Sequence, residues 1–132
     1  ILDKLGYEYE DVNITSMWGN VLHPGQAHSP HTHSNNFLSG VLYLQSDDLS
    51  GGLEFFDPRS QALVLCPRIK NGNVINANSV RFNPRENMGV IFPSWLQHWV
   101  PTNNSEERVS ISWNTLVKGH HGATEGKANA YF

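Results

Sequence analysis

From Arg108 to Leu116 the chain reads as a strand, with polar and apolar residues alternating without a break as far as Asn114. Arg108, Ser110, Ser112 and Asn114 share one face of an extended chain, and Val109, Ile111, Trp113 and Thr115 share the other. A period of two is a strand signal, because successive side chains of a pleated backbone leave opposite faces. Shorter strand-like runs precede it: Ser16 to His23, Phe37 to Gln45, Gly52 to Phe56, Gln61 to Cys66, Val80 to Phe82, Met88 to Phe92 and His98 to Val100. Turn signals such as Pro24-Gly25, Asp57-Pro58, Pro93 and Pro101 separate them, and Asn71-Gly72 marks a hairpin. Helical periodicity is almost absent. A short helix ending near Gly6 is the one candidate, and the tail from Lys118 reads as irregular. Seven or eight short strands of this kind predict an all-β sandwich or barrel, with a mouth where several strands bring side chains together.

The 132 residues are one domain's worth, and 1–132 is read as a single domain. No initiator Met precedes Ile1, so the expectation is the C-terminal part of something longer. A net charge of -3 leaves no basic footprint for nucleic acid. No apolar run approaches the roughly 18 residues of a membrane span, and no signal-peptide pattern is present. A cytoplasmic location is expected, with neither nucleic acid nor membrane as partner. The single Cys66 excludes an internal disulfide framework and a cysteine-rich zinc site.

Histidine is the residue type that carries chemistry here. His23, His28, His31 and His33 crowd one short segment, and His98 follows much later. In Pro30-His31-Thr32-His33 two imidazoles stand two residues apart, and on an extended backbone both reach the same side and one metal ion. His98 lies ten residues before Arg108. A hairpin through Thr102 to Glu107 would set the two on neighbouring strands, an imidazole beside a guanidinium. Three neutral nitrogens on one side of a metal leave open positions opposite, and imidazole suits iron(II), zinc, copper and nickel alike. The polar face of the last strand has two readings. Facing inward, Arg108 requires an anionic partner; facing outward, the polar face is simply wet, and Val109, Ile111 and Trp113 form core.

Together these residues resemble a known family, the iron(II)- and 2-oxoglutarate-dependent oxygenases, and most of all a bacterial and phage group within it that is similar to prolyl hydroxylases. The resemblance rests on Trp18-x-Asn20, on His31-Thr-His33-Ser-Asn-Asn-Phe-Leu-Ser-Gly-Val-Leu-Tyr43-Leu, on Gly52-Leu-Glu-Phe-Phe-Asp-Pro-Arg59, on Gly89-Val-Ile-Phe-Pro-Ser-Trp-Leu-Gln-His98 and on Arg108-Val-Ser-Ile-Ser-Trp-Asn114. It implies a double-stranded β-helix, a distorted jelly roll. It implies His31 and His98 as metal ligands, and Arg108 with Ser110 as the clamp on the distal carboxylate of 2-oxoglutarate. Tyr43 would place its hydroxyl on the same carboxylate, its other reading being a core aromatic, and Asn20 would line the pocket. The family usually carries His-x-Asp where this chain has His31-x-His33. Either His33 completes a three-histidine site, or it stands behind the metal and water takes the position. Asp57 and Glu54 are poorer substitutes because they belong to a different strand. His28, three residues before His31, could join the metal instead; its other reading, like that of His23, His120 and His121, is surface or supporting. The implied reaction is hydroxylation of a substrate C–H bond with iron(II), 2-oxoglutarate and O2, releasing succinate and CO2. The substrate, a protein or peptide side chain or a small molecule, is not named by any motif.

Two rivals stand beside this reading. A cupin-type metal-dependent dioxygenase accounts for Gly25 followed by His31-x-His33. It lacks the expected glutamate at residues 36–38, lacks the second cupin motif and gives Arg108 no task. A non-catalytic jelly-roll binding module would use the four Trp and four Tyr for stacking, although most of these sit at strand positions that suit a core.

Overall fold

The computed structural model describes residues 1–59 and 64–132. A single helical turn, α1 (Leu2–Leu5), is closed by Gly6 in the left-handed region at φ 74°, a conformation that glycine adopts without a side-chain penalty. The strands are β1 (Asp11–Leu22), β2 (His28–His31), β3 (Leu38–Gln45), β4 (Leu53–Phe56), β5 (Ser79–Phe82), β6 (Gly89–Pro93), β7 (His98–Val100), β8 (Arg108–Lys118), β9 (His120–His121) and β10 (Ala130–Tyr131).

One sheet has the order β1-β8-β3-β6, the other β2-β7-β4-β5, and β9 pairs with β10 as a separate ribbon. Among the described residues every pairing is antiparallel. Between β1 and β8 the chain changes sheet at each connection except β4 to β5. That alternation is the double-stranded β-helix. Leu22, Val41, Tyr43, Leu53, Phe92 and Val100 form the core, drawn from both sheets, and leave a cavity along its polar side.

Several expectations are corrected. The connection from Thr102 to Glu107 is not a hairpin, because β7 lies in one sheet and β8 in the other. His98 and Arg108 therefore sit on facing sheets rather than on neighbouring strands. The cause is Asn103. Its backbone N–H donates to the Gln26 carbonyl at 2.8 Å, and its carbonyl accepts from Gly25 at 2.8 Å. Its side-chain amide donates to the Leu22 carbonyl at 2.9 Å and to the Ser105 carbonyl at 3.0 Å. These bonds carry the chain past Pro101 to the end of β1, where β8 begins.

The polar face of β8 is the buried one. Arg108, Ser110 and Asn114 are buried, while Val109, Ile111 and Trp113 are only partly covered on the outer face. Trp113 lies across Gly40 of β3, where a Cβ would collide with the indole. The expectation that most Trp and Tyr form core fails for the same reason. Tyr43 alone of the eight is fully buried; Trp18, Trp95, Tyr7 and Tyr131 are exposed, and Trp99, Trp113 and Tyr9 are partly so.

No hairpin forms at Asn71-Gly72. A turn at Asn73–Asn76 takes its place, held by Asn73 N–H on Asn76 Oδ1 at 2.8 Å. The strand expected from Gln61 to Cys66 falls partly outside the described residues, and 64–66 are not extended into a sheet. The tail carries β9 and β10 rather than being wholly irregular. Among the described residues no helix is long and apolar enough to cross a membrane.

Candidate metal centre and anion pocket

β2 and β7 pair with His31 opposite His98. His33 lies just beyond β2, tied down by its backbone N–H on the Ser94 carbonyl at 2.9 Å. One ligand atom from each of the three rings falls within 4.8 Å of the others. The ring centroids of His31 and His98 are 4.4 Å apart, and those of His33 and His98 are 5.1 Å apart in a stacked arrangement.

Local hydrogen bonds set the chemistry of these rings. His31 Nδ1 is 2.7 Å from the Ser29 carbonyl, and His98 Nδ1 is 2.9 Å from the Leu96 carbonyl. A carbonyl only accepts, so each Nδ1 carries its proton and each Nε2 keeps a free lone pair. His33 Nε2 lies 3.2 Å from His98 Nε2. Without a metal, His33 Nε2–H donates to that lone pair; with one between them, both nitrogens present lone pairs to it. Burial pushes His98 down to about 4, with the Leu96 carbonyl opposing and the neighbouring imidazoles assisting. Burial and His31 also lower His33. Rings held neutral are rings ready to bind a cation.

The triad opens onto a cavity of about 470 Å³ lined from both sheets. That size and the mixed apolar and polar walls suit a small ligand. Away from the triad, Arg108 and Tyr43 lie together, the guanidinium carbon 4.9 Å from the phenol ring centroid. Arg108 is 2% exposed and Tyr43 0%. Neither Arg108 Nε nor Tyr43 Oη has a hydrogen-bond partner. Among the described residues no carboxylate pairs with Arg108. Burial alone lowers Arg108 and raises Tyr43, with each partly offsetting the other's shift.

The remaining expected residues also line this cavity. Ser110 is buried on the same face as Arg108, and Asn20 of β1 stands opposite it in register. Asn20 Nδ2 donates to Ser112 Oγ at 3.0 Å. Asp57 and Glu54 do not take part. Asp57 is bound by Arg59 at 2.7 Å and pulled down to about 2 by it. Glu54 accepts from Trp99 Nε1 at 2.9 Å. His23, His120 and His121 are likewise absent from the cavity wall. Among the other wall residues, His28 and Trp18 carry ring systems that the sequence does not firmly mark as part of a site. His28 reads in the sequence chiefly as a surface or supporting residue, and Trp18 only as part of a motif; the Trp18 ring lies 5.8 Å from that of His33. The alternation of Trp18, Asn20 and Leu22 along β1 was the available signal for Trp18.

Residues 16–114 match the family described as "Putative 2OG-Fe(II) oxygenase". No curated protein matches the sequence. Among solved structures, a 2OG-Fe(II) oxygenase family oxidoreductase from Burkholderia pseudomallei superposes with a TM-score of 0.67 at 16% identity, covering 87% of this chain and 49% of that one. A prolyl-4-hydroxylase from Pseudomonas putida gives 0.61 at 19% identity over 89% of this chain and 58% of that one. SnoN, an alpha ketoglutarate dependent epimerase from nogalamycin biosynthesis, gives 0.60 at 12% identity over 88% and 52%. At these identities the likeness is one of fold. The chain spans 49% to 58% of the length of these structures.

Proposed function

The chain belongs to the 2OG-Fe(II) oxygenase family, and from that premise we propose that it hydroxylates a C–H bond of its substrate, consuming O2 and 2-oxoglutarate and releasing succinate and CO2. Iron(II) and 2-oxoglutarate are the metal and cosubstrate that membership implies, and bound together they supply the oxidising chemistry. The protein's own part is to bind, orient and exclude water.

The donor set fits such a metal. His31 and His98 offer Nε2 atoms whose tautomers are fixed from behind, and His33 offers the third corner. Nitrogen ligands of this type suit a divalent first-row metal and leave positions open. With no carboxylate in the set, more of the metal's positive charge is left to attract an anionic cosubstrate.

The observation that carries this reading is the unpaired guanidinium of Arg108. A buried cation with no anionic partner is costly, and the cost is removed when an anion arrives. The distal carboxylate of 2-oxoglutarate is that anion. Arg108 offers it a fork of N–H donors, Tyr43 offers an unused hydroxyl, and Ser110 stands beside them. A cupin-type dioxygenase leaves Arg108 without a task, and a sugar-binding module leaves the three imidazoles without one. Trp18, Ala27, Ser29 and His31 are the exposed members of the wall, so substrate reaches the centre past them, and Asn20 lines its path.

The test is anaerobic absorption spectroscopy of the protein with iron(II) and 2-oxoglutarate. A weak visible charge-transfer band requires iron chelated by the keto acid. The band is expected in the wild type, absent in His31→Ala, and formed only at much higher 2-oxoglutarate in Arg108→Ala. Loss of metal in His33→Ala makes His33 a ligand; retention makes it a supporting residue. A wild-type protein that binds iron and never develops the band overturns the proposal.

A further inference from the structure

His28 has no task in the reaction proposed above, yet it does not lie on the outer surface. It opens β2 opposite Val100, and both residues line the cavity. Its ring is half-buried, and among the described residues it makes no hydrogen bond. It is not a fourth member of the histidine cluster, which contains only His31, His33 and His98. Its register places it elsewhere. Val100 is two residues beyond His98 on β7, a displacement of ~7 Å along the strand. Among nearby charges Arg108 acts on it most strongly, ahead of His31. His28 therefore lines the same cavity as Arg108, displaced along β2 from the triad and on the sheet that faces β8.

Burial and the Arg108 charge lower His28 and keep its ring neutral near pH 7, with one N–H and one lone pair. Three polar groups then converge from three strands: the guanidinium from β8, the phenol from β3 and the imidazole from β2. Arg108 Nε and Tyr43 Oη have no hydrogen-bond partner of normal geometry. All three have an N–H or O–H to give, and only a ligand rich in acceptors uses them together.

We propose that His28 is a third donor to the distal carboxylate of the bound keto acid, completing a cradle with Arg108 and Tyr43. The inference rests on the functional reading above and extends it to a residue outside that reading. A carboxylate has about four lone-pair positions, enough for the guanidinium fork, the phenol and one imidazole N–H. The cradle would also make the pocket selective for a dicarboxylic keto acid over a monocarboxylic one.

The experiment compares two acids on the iron(II)-loaded protein under argon, reading equilibrium binding from the charge-transfer band and by calorimetry. 2-Oxoglutarate has the distal carboxylate; 2-oxobutyrate keeps the chelating end and lacks it. His28→Ala is expected to weaken 2-oxoglutarate roughly 10-fold and to leave 2-oxobutyrate unchanged. His28→Gln, which keeps an N–H donor, is expected to recover most of the loss. Unchanged 2-oxoglutarate binding in His28→Ala overturns the inference while the oxygenase reading stands. Equal weakening of both acids also overturns it, because the residue then acts at the chelating end or on the fold. If the wild type binds neither acid, the functional reading falls and this inference with it.

Discussion

His33 Nε2 lies 3.2 Å from His98 Nε2, a separation at which two neutral imidazoles share a proton and two protonated ones repel. This makes the metal-free protein sensitive to acid. His98 is held down to about 4, first by burial, whereas in the unfolded chain it titrates near 6.5. As pH falls below about 6.5 the unfolded state takes up a proton that the folded state refuses, so stability drops. The loss continues to about pH 4, where folded His98 also protonates, and amounts to roughly 3 kcal/mol. His33 shifts in the same direction and adds to it. Denaturant midpoints of chelator-treated protein between pH 7 and pH 4.5 should show this fall, and His98→Gln should flatten it. A wild-type midpoint unchanged across that range contradicts the picture.

Arg108 should behave as a residue kept for a ligand rather than for the fold. Replacing a buried charge that lacks a partner with an apolar side chain of similar size is often neutral or stabilising. Arg108→Met is therefore expected to hold or raise the melting temperature of the ligand-free protein. The same substitution should abolish most of the stabilisation that 2-oxoglutarate confers on the metal-loaded wild type, a loss of about 2–5 kcal/mol in binding. A variant that melts lower without ligand and still responds to 2-oxoglutarate would assign Arg108 to the fold.

Tyr43 tests the same logic on a smaller scale. Its hydroxyl is buried without a partner, so deleting it removes an unsatisfied group rather than a bond. Tyr43→Phe should leave the ligand-free protein as stable as the wild type or slightly more so. It should weaken 2-oxoglutarate by about 1 kcal/mol or more. Calorimetric titration beside a thermal melt separates the two effects, and a marked loss of stability would mean that the hydroxyl has a partner in solution.

The strands were legible because their signals are local. Period-two alternation and proline stops placed β3, β4, β6, β7 and β8 within a residue or two of their observed limits. The triad was legible because His31-x-His33 is short-range, and a single long-range guess, His98, completed it. What the sequence hid was which sheet each strand joins. Nothing local distinguishes a hairpin from a crossover at Thr102 to Glu107, because both need a polar turn after Pro101. The choice is made by Asn103 bonding to Leu22, 81 residues away.

The same gap explains the reading of β8. Alternation says that two faces differ, not which is inside. An ordinary sheet buries its apolar face, and here the buried face holds Arg108, Ser110 and Asn114. The proposed anion pocket accounts for this reversal of the usual preference. His28 is not legible in turn because β2 is only four residues long and, apart from Pro30, polar, so no pattern marks its inward face.

Asn103 carries the last prediction because it decides where the two halves of the site meet. It is 0% exposed. Besides its amide bonds to Leu22 and Ser105, its Oδ1 accepts from Ser105 Oγ at 2.8 Å and from Gly51 N–H at 3.3 Å. Asn103→Ala leaves these buried groups without a partner, each at a cost of about 1–3 kcal/mol when unmade. Part of that is recovered by water entering the space, so a net loss of about 2–4 kcal/mol is expected. The loss should not stop at stability. Asn103 holds the crossover that sets Arg108 opposite His98, so loosening it should weaken 2-oxoglutarate more than iron(II), whose proposed ligands lie on β2, β7 and the adjoining turn. Asn103→Asp keeps the Oδ1 acceptor but turns a second carboxylate oxygen toward the Leu22 and Ser105 carbonyls, and as a buried charge without a partner it should cost at least as much as alanine. Denaturant unfolding paired with separate metal and keto-acid titrations checks both parts. If iron(II) and 2-oxoglutarate weaken together, the crossover does not position the anion pocket independently of the metal centre.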